Sequence, residues 1–558
     1  MQKLIECVPN FSEGNDMHII RQITDQVETV EGVRLLNVDP GKATNRTVVT
    51  FVGSPEAVVE AAFRAIKKAG ELIDMSKQKG EHPRMGATDV CPLIPIANIT
   101  MEETALWAQE LAKRLGTELD LPVYLYEAAQ PNKNRSNLSV IRAGEYEGFF
   151  KKIKQPEWQP DYGPAVFDAQ RGATVVGARD FLVAYNVNLN TTSTRRANAV
   201  AFDVREAGRV KKEGNKTVTD ENGKPVNIPG SLKSVKAIGW YIEEYGIAQI
   251  SMNLTNILVT PVHIAFDEVC TKANDRGIRV TGSELVGLIP LKAMLDAGKY
   301  FLRKQKRSTG VSEKELIRIA VKSMGLDELT PFKPEERIIE YMLHDKSDSK
   351  LVKMALSAFA DETASESPAP GGGSIAAYIG SLGAALATMV ANLSSHKKGW
   401  DERWEEFSDW AEKGEQYKSE LVKLVDADTK AFNQIMLAFA LPKSTDEEKL
   451  MRTNAIQDAT RFAIEIPFKV MQAAFASMEV IKAMADIGNP NSVSDAGVGA
   501  LCARSAVMGA FMNVRINATG YDDKTFVTEI IAKGKAIEDK TIVQEAEILK
   551  TVNEKIGI

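Results

Sequence analysis

Gly80-Glu81-His82-Pro83-Arg84-Met85-Gly86-Ala87-Thr88-Asp89 runs without a break into Val90-Cys91-Pro92-Leu93-Ile94-Pro95-Ile96. Two glycines and a proline make the first half a loop, because glycine opens unusual backbone angles and proline cannot continue a helix. The apolar run after it reads as a short buried strand, which its two prolines demote to an edge or irregular position. His82 therefore lies in a loop at the mouth of a sheet, where side chains that do chemistry are often placed. The local pattern leaves two readings open: an imidazole poised for proton transfer, or a histidine that bonds a nearby carbonyl.

The surrounding chain supplies the layers such a loop needs. Leu4 to Val8 reads as a first strand, Asp16 to Val27 as a helix, and Val33 to Val38 and Thr47 to Val52 as further strands. Ser54-Pro55-Glu56 opens a helix, with Ser54 as cap and Pro55 in the first turn. Thr100 to Leu115 is amphipathic, with Leu106 and Leu111 on its apolar side, and Val123 to Tyr126 is a strand. Arg135 to Arg142 is a charged surface, and Trp158 to Gly163 looks like a connection between two subdomains. Beyond it, Phe181 to Asn190 alternates as a strand, Arg195 to Val204 is helical, and Lys211 to Pro229 is a polar, exposed hairpin. Val235 to Ile242 pairs with Ala248 to Leu254, and a helix follows Thr260-Pro261. Val280 to Pro290 repeats the strand-and-turn pattern found after His82, a hint of two related halves. Asp39 and Arg46 stand at strand ends, where turn chemistry and a binding role are both open.

From Leu351 the character changes to alanine-rich helical periods. The expected architecture is α+β, two α/β-sandwich-like subdomains, followed by an all-α helical-bundle domain. The expected divisions are 1–178, 179–330, a linker at 331–350, and 351–558. A length of 558 residues agrees with about two to four domains.

Within the helical part, Leu421, Leu424, Val425, Ala431, Phe432 and Ile435 make one apolar stripe. Asp428 falls on it, seven residues after Leu421 and four before Phe432, while Asp426 falls on the other face with Lys423 and Lys430. A carboxylate pointing into a bundle is expensive unless partnered, and desolvation raises its pKa. Such a group is either a general acid or a structural Asp satisfied by a helix end or an Arg. Ser365-Glu366-Ser367-Pro368-Ala369-Pro370-Gly371-Gly372-Gly373-Ser374 leads into a helix of small residues. Its free amides suit an anionic group, and its small side chains suit close helix contact. Ser494 or Asp495 reads as a helix cap, or as a wall of a pocket.

A net charge of −6 with no basic block gives no support to nucleic-acid binding. The only membrane-like stretch, Ser374 to Leu393, is crowded with small and polar residues and reads as a packed helix. Cys7, Cys91, Cys270 and Cys502 lack metal or redox spacing. With no leader-like start, a reducing cytoplasm is expected.

Glu6-Cys7-Val8-Pro9-Asn10-Phe11-Ser12-Glu13-Gly14 together with the His82 loop resembles the N-terminal signature of glutamate formimidoyltransferases. Val425-Asp426-Ala427-Asp428 and the glycine-rich helix start resemble the formimidoyltetrahydrofolate cyclodeaminases. Both occur in the order of the bifunctional formimidoyltransferase-cyclodeaminase family. The resemblance implies His82 as general base and Asp428 as the acid that releases ammonia. It also implies a folate segment over Gly163-Pro164-Ala165-Val166-Phe167-Asp168-Ala169-Gln170-Arg171-Gly172, with Phe167 able to pack on a flat pterin. Arg46 and Arg84 are candidates for the donor's carboxylates, with Asp39 and Asp495 as weaker site candidates. The implied substrates are formiminoglutamate and tetrahydrofolate, as a polyglutamate and without a metal, acted on by a cytoplasmic homo-oligomer built as a ring of dimers, with no nucleic-acid or membrane partner. Transfer of a formyl group, or folate binding without turnover, are the alternatives.

Overall fold

The computed structural model describes residues 3–42, 44–80, 83–214, 216–343 and 350–557. Chain contacts divide it into two units: Met1–Ala293 with Met324–Leu343, and Met294–Ser323 with His344–Ile558.

The first unit holds two sheets. One strand broken at Val8-Pro9 into β1 (Leu4–Cys7) and β2 (Asn10–Phe11) is followed by α1 (Met17–Glu28), β3 (Val33–Gly41), β4 (Arg46–Gly53), α2 (Pro55–Leu72) and β5 (Thr88–Ala97). Ser54 accepts from the Ala57 amide at the start of α2, with Pro55 in the first turn, as the sequence dictates. The strands pair antiparallel in the order β3-β4-β1/β2-β5. The second sheet repeats this βαββαβ plan: β8 (Val183–Leu189), α6 (Thr194–Val204), β13 (Val235–Ile242), β14 (Ile247–Leu254), α7 (Val262–Asn274) and β15 (Val280–Val286), in the order β13-β14-β8-β15. The strand after the His82 loop and the strand at Val280 thus occupy equivalent fourth places, the physical content of the repeat seen in sequence. Four two-residue strands, β9 to β12, lie in the polar stretch between α6 and β13, at Arg209–Val210, Lys212–Glu213, Lys216–Thr217 and Asn227–Ile228.

The first sheet grows past β5. After α3 (Met101–Glu118) the chain lays down β6 (Val123–Glu127), passes through α4 (Leu138–Ile141) and α5 (Glu145–Lys152), and inserts β7 (Thr174–Ala178) parallel between β5 and β6. This makes β5 an interior strand of ten residues, not an edge. Its prolines are tolerated because neither faces a partner that needs a donor. Pro92 sits opposite the Val8-Pro9 break, where its carbonyl accepts from Val8 N. Pro95 lies past the last residues of β7, whose register ends at Leu93 opposite Ala178. Trp158 to Gly163 is likewise no connection between subdomains: Tyr162 bridges Val123 inside the first sheet. The passage to the second sheet comes after β7.

One face of the first sheet packs on α1, α2 and α3 through Ile5, Phe51, Val58, Ile66, Leu93 and Leu111. On α3, Leu111 is fully buried but Leu106 is 65% exposed, so the apolar stripe is narrower than its sequence suggests. The stretch from Pro331 folds as α10 (Pro334–Arg337) and α11 (Ile339–Leu343), with Ile338 and Ile339 buried against the first unit.

In the second unit α9 (Glu313–Met324) crosses α8 (Leu291–Lys304) closely enough that a Cβ on Gly298 would meet the Leu316 carbonyl at 2.3 Å. After α12 (Leu356–Thr363) come five long helices: α13 (Gly372–Ser395), α14 (Trp404–Phe439), α15 (Asp446–Ile487), α16 (Val493–Ala518) and α17 (Lys524–Ile556). Small residues set the seam between α13 and α16, where Gly383 faces the Gly499 carbonyl at 2.8 Å from its missing Cβ. Among the described residues α13 and the stretch Pro490–Ala518 are long and apolar enough to cross a membrane. Their apolar windows are 61% and 50% buried within the protein.

Candidate functional sites

The face of the first sheet away from its helices, together with the second sheet, encloses a cavity of about 400 Å³. Alternation along the strands decides what enters it. On β1, Ile5 and Cys7 turn into the core and Glu6 turns to the cavity. Asn10, Asp39, Arg46 and Thr50 join it from the neighbouring strands, Arg142 from the end of α4, Arg179 from just past β7, and Lys236 and Asn253 from the second sheet. Arg46, Arg142, Arg179 and Lys236 give the lining an excess of positive charge suited to small carboxylates.

A buried ion pair supports this wall. Asp89 is fully buried, pairs with Arg142 at 2.7 Å and accepts from Met85 N at 3.0 Å. Burial pushes its carboxyl up to about 6 against the pull of Arg142 and Arg46. Arg46 is drawn below its usual range by burial, and Asp89 and Asp39 counteract this. Arg142, expected on a charged surface, is instead aimed inward. Tyr126 is pushed up to about 12 by burial, with Arg179 beside it.

The predicted residues distribute unevenly. Asp39 and Arg46 line the cavity. His82 lies outside the described residues. Its neighbours are anchored: a Cβ on Gly80 would strike the Thr44 carbonyl at 2.3 Å, and Asn45 Nδ2 donates to Lys79 O. Arg84 is consumed by Glu147 at 2.8 Å, Glu145 at 3.4 Å and Gln78, which leaves its guanidinium committed to the fold and not to a substrate. The segment from Gly163 to Gly172 does not line this cavity. Asp168 closes on Arg171, whose Nη1 donates to the Leu119 carbonyl. Phe167 packs among Tyr146, Phe149 and Phe150, with centroids 5.6–6.2 Å away. The end of the segment backs the loop after His82, through the Gly86–Gly172 bridge and the Ala87 N to Arg171 O bond. Glu6, Asp89, Arg142, Arg179 and Lys236 were missed as site residues. A legible signal existed for the first two: an acidic residue inside an apolar strand, as in Leu4-Ile5-Glu6-Cys7 and Asp89-Val90-Cys91.

The helical unit carries a second arrangement. Leu421, Leu424, Val425 and Ala431 are buried along α14, and Asp428 on the same stripe meets the first turn of α13. Ser374 Oγ lies 3.0 Å from Asp428 Oδ2 and 3.0 Å from the Val425 carbonyl, able to donate to either. A Cβ on Gly373 would fall 2.1 Å from Asp428 Oδ1, so the glycine is required by the carboxylate's approach. Burial raises the Asp428 pKa, and the Ser374 hydroxyl and amide partly offset it. The anion at this helix start is therefore the protein's own carboxylate. Asp426, on the opposite face, accepts from the Leu351 and Val352 amides and ties down the entry to the bundle. Asp495 lies within the first turn of α16, which begins at Val493 after Ser492. Ser492 holds the cap position of α16 without a side-chain cap bond, and Asn489 caps the short turn before it by accepting from Asn491 N, so neither Ser494 nor Asp495 caps.

A duplicated βαββαβ unit around a cavity lined by Arg46, Arg142, Arg179 and Lys236, followed in the chain by a helical bundle with a largely buried carboxylate, defines a two-part protein whose first part suits small anions. Residues 4–179 match the formiminotransferase domain, N-terminal subdomain; 184–344 match the formiminotransferase domain; 355–536 match formiminotransferase-cyclodeaminase. The formimidoyltransferase-cyclodeaminase of Gallus gallus is 46% identical over 530 residues, 95% of each chain. A glutamate formimidoyltransferase of Thermoplasma acidophilum is 40% identical over 302 residues, 54% of this chain and 92% of its own. A methenyltetrahydrofolate cyclohydrolase of Methylorubrum extorquens is 36% identical over 199 residues, 36% of this chain and 96% of its own. The chain belongs to the formimidoyltransferase-cyclodeaminase family.

Proposed function

We propose that the first unit transfers the formimidoyl group of N-formimino-L-glutamate to N5 of tetrahydrofolate, and that the helical unit closes the product to 5,10-methenyltetrahydrofolate with loss of ammonia. The observation that carries this reading is the match to the Gallus gallus relative along 95% of both chains, which covers both parts of its bifunctional name. In the first step N5 attacks the formimidoyl carbon, and the bond to the glutamate nitrogen then breaks with a proton delivered to that nitrogen. Arg46, Arg142, Arg179 and Lys236 hold the carboxylates of the donor. His82 carries the proton from N5 to the leaving nitrogen, a role supported by its place in the family signature.

In the second step N10 attacks the same carbon and the original imino nitrogen leaves. Asp428, whose pKa burial raises, supplies the proton that turns it into ammonia. The folate, a tetrahydrofolate polyglutamate, is held by the segment Gly163 to Gly172, whose end backs the loop after His82, and the chain works in histidine breakdown as a cytoplasmic homo-oligomer, a ring of dimers. Keeping both sites on one chain raises the effective concentration of the intermediate at the second.

The test is the absorbance of the methenyl product formed from formiminoglutamate and tetrahydrofolate. His82→Ala should abolish glutamate release. Asp428→Ala should release glutamate but accumulate the uncyclised intermediate. A wild type that releases no glutamate from this donor refutes the assignment.

A further inference from the structure

Glu6 stands in the middle of β1 with only 2% of its surface exposed, on the face that lines the cavity. Its register neighbours are apolar, Val52 on β4 and Ile94 on β5. Among the described residues its carboxylate has neither a hydrogen bond nor an ion pair, and the compensating charge it feels is Arg179, acting through space. Burial lifts its pKa to about 7. A carboxyl group placed this way is costly in an empty cavity and is relieved by a cation that enters it.

The remaining charged groups around the cavity are committed otherwise. Asp89 is held by Arg142 and the Met85 amide. Asp39 is exposed on the far strand β3. Arg46, Arg142, Arg179 and Lys236 match anions, and Tyr126 is neutral. Resting on the functional reading above, the donor brings two carboxylates and one formimidoyl group. That group is an amidine, protonated at neutral pH, planar, and with N–H bonds arranged like those of a guanidinium. Its natural partner is a carboxylate met side-on.

We infer that Glu6 receives the protonated formimidoyl group of the donor and holds it flat on the cavity floor while the folate nitrogen attacks its carbon. As N5 bonds to that carbon, the C=N electron pair moves onto the imino nitrogen. The pair returns as the bond to the glutamate nitrogen breaks, and the N5 proton travels to that leaving nitrogen. Glu6 gains and loses no atom; it neutralises the amidinium before and after transfer. The same contact selects a formimidoyl donor over a formyl one, because a formamide carries no charge for Glu6 to meet.

The experiment compares wild type with Glu6→Gln and Glu6→Asp, reading the KM for formiminoglutamate, the KM for tetrahydrofolate, and inhibition by N-formyl-L-glutamate, the neutral oxygen analogue. Loss of a charged hydrogen-bonded partner should raise the formiminoglutamate KM of Glu6→Gln by about 10- to 100-fold. Its tetrahydrofolate KM should stay within about twofold, a shift under ~0.5 kcal/mol, and N-formyl-L-glutamate should inhibit it at least as well as the wild type. Glu6→Asp should recover part of the donor affinity. Donor and neutral analogue weakening together, or neither changing, overturns the inference. A wild type that never releases glutamate overturns the functional reading itself, and this with it, so the two failures are told apart.

Discussion

Replacing Gly373 by alanine probes the helical site without touching its acid. The new Cβ would stand 2.1 Å from Asp428 Oδ1 and 2.6 Å from its Cγ, where unstrained contact needs about 3.5 Å. The carboxylate must therefore withdraw by more than about 1 Å, a displacement that can cost about a hundredfold in rate. At 1.36 kcal/mol per tenfold that is about 3 kcal/mol of barrier. Stability should move far less. Overpacking costs about 1–3 kcal/mol, while alanine in a helix is favoured over glycine by up to about 1 kcal/mol, so the chain should remain folded. The assay reads two outputs from one reaction: glutamate release for the transfer step, methenyl absorbance for cyclisation. Gly373→Ala should leave the first unchanged and slow the second about a hundredfold, with the uncyclised intermediate accumulating. A folded variant that cyclises within twofold of wild type would show that the position of Asp428 does not govern the second step.

Three further outcomes follow from the same geometry. Because the Glu6 carboxyl is raised from 4.5 to about 7, its folded form binds a proton that the unfolded chain has released between those values. Stability therefore falls as pH rises through this window, by about 3 kcal/mol in all. Urea denaturation should show Glu6→Gln equal to wild type near pH 4.5 and more stable above pH 7; a constant difference at all pH would refute the burial argument. Arg142→Ala leaves the buried Asp89 charge without its ion pair and should cost about 3–5 kcal/mol in the same experiment, part of which Asp89→Asn in that background recovers. Finally, Leu111→Ala should cost about 2–5 kcal/mol and Leu106→Ala less than about 0.5 kcal/mol. Equal losses would show that α3 buries both residues.

Much of the site could be anticipated from local pattern. Helical phase placed Asp428 on the inward face, since a 3.6-residue period assigns a face to each position whatever that face meets, and the resemblance named it the acid. The glycines before Ser374 were visible too, but not their reason: the approach of Asp428 to Gly373 involves residues fifty-five positions apart. Arg84 shows the opposite failure. A cation next to His82 looked like a substrate ligand, and Glu145 and Glu147, supplied by a later helix, claimed it. The prolines of β5 misled for a related reason. Whether a missing donor matters depends on which strand lies alongside, and β7, which arrives some eighty residues later, stops short of Pro95.

The amino-acid order by itself determined most element types, the change from mixed sheet to helical bundle and the inward face of α14, and it hinted at two related halves. These are properties of short windows, fixed by side-chain periodicity, capping and turn chemistry. Only the tertiary structure decided which charges share a cavity. Glu6 from β1, Arg142 from α4, Arg179 from beyond β7 and Lys236 from the second sheet meet there because strand register and sheet order bring them together. Register is a long-range property: each strand's pattern says which side chains lie on one face, and only its neighbours say what that face will meet.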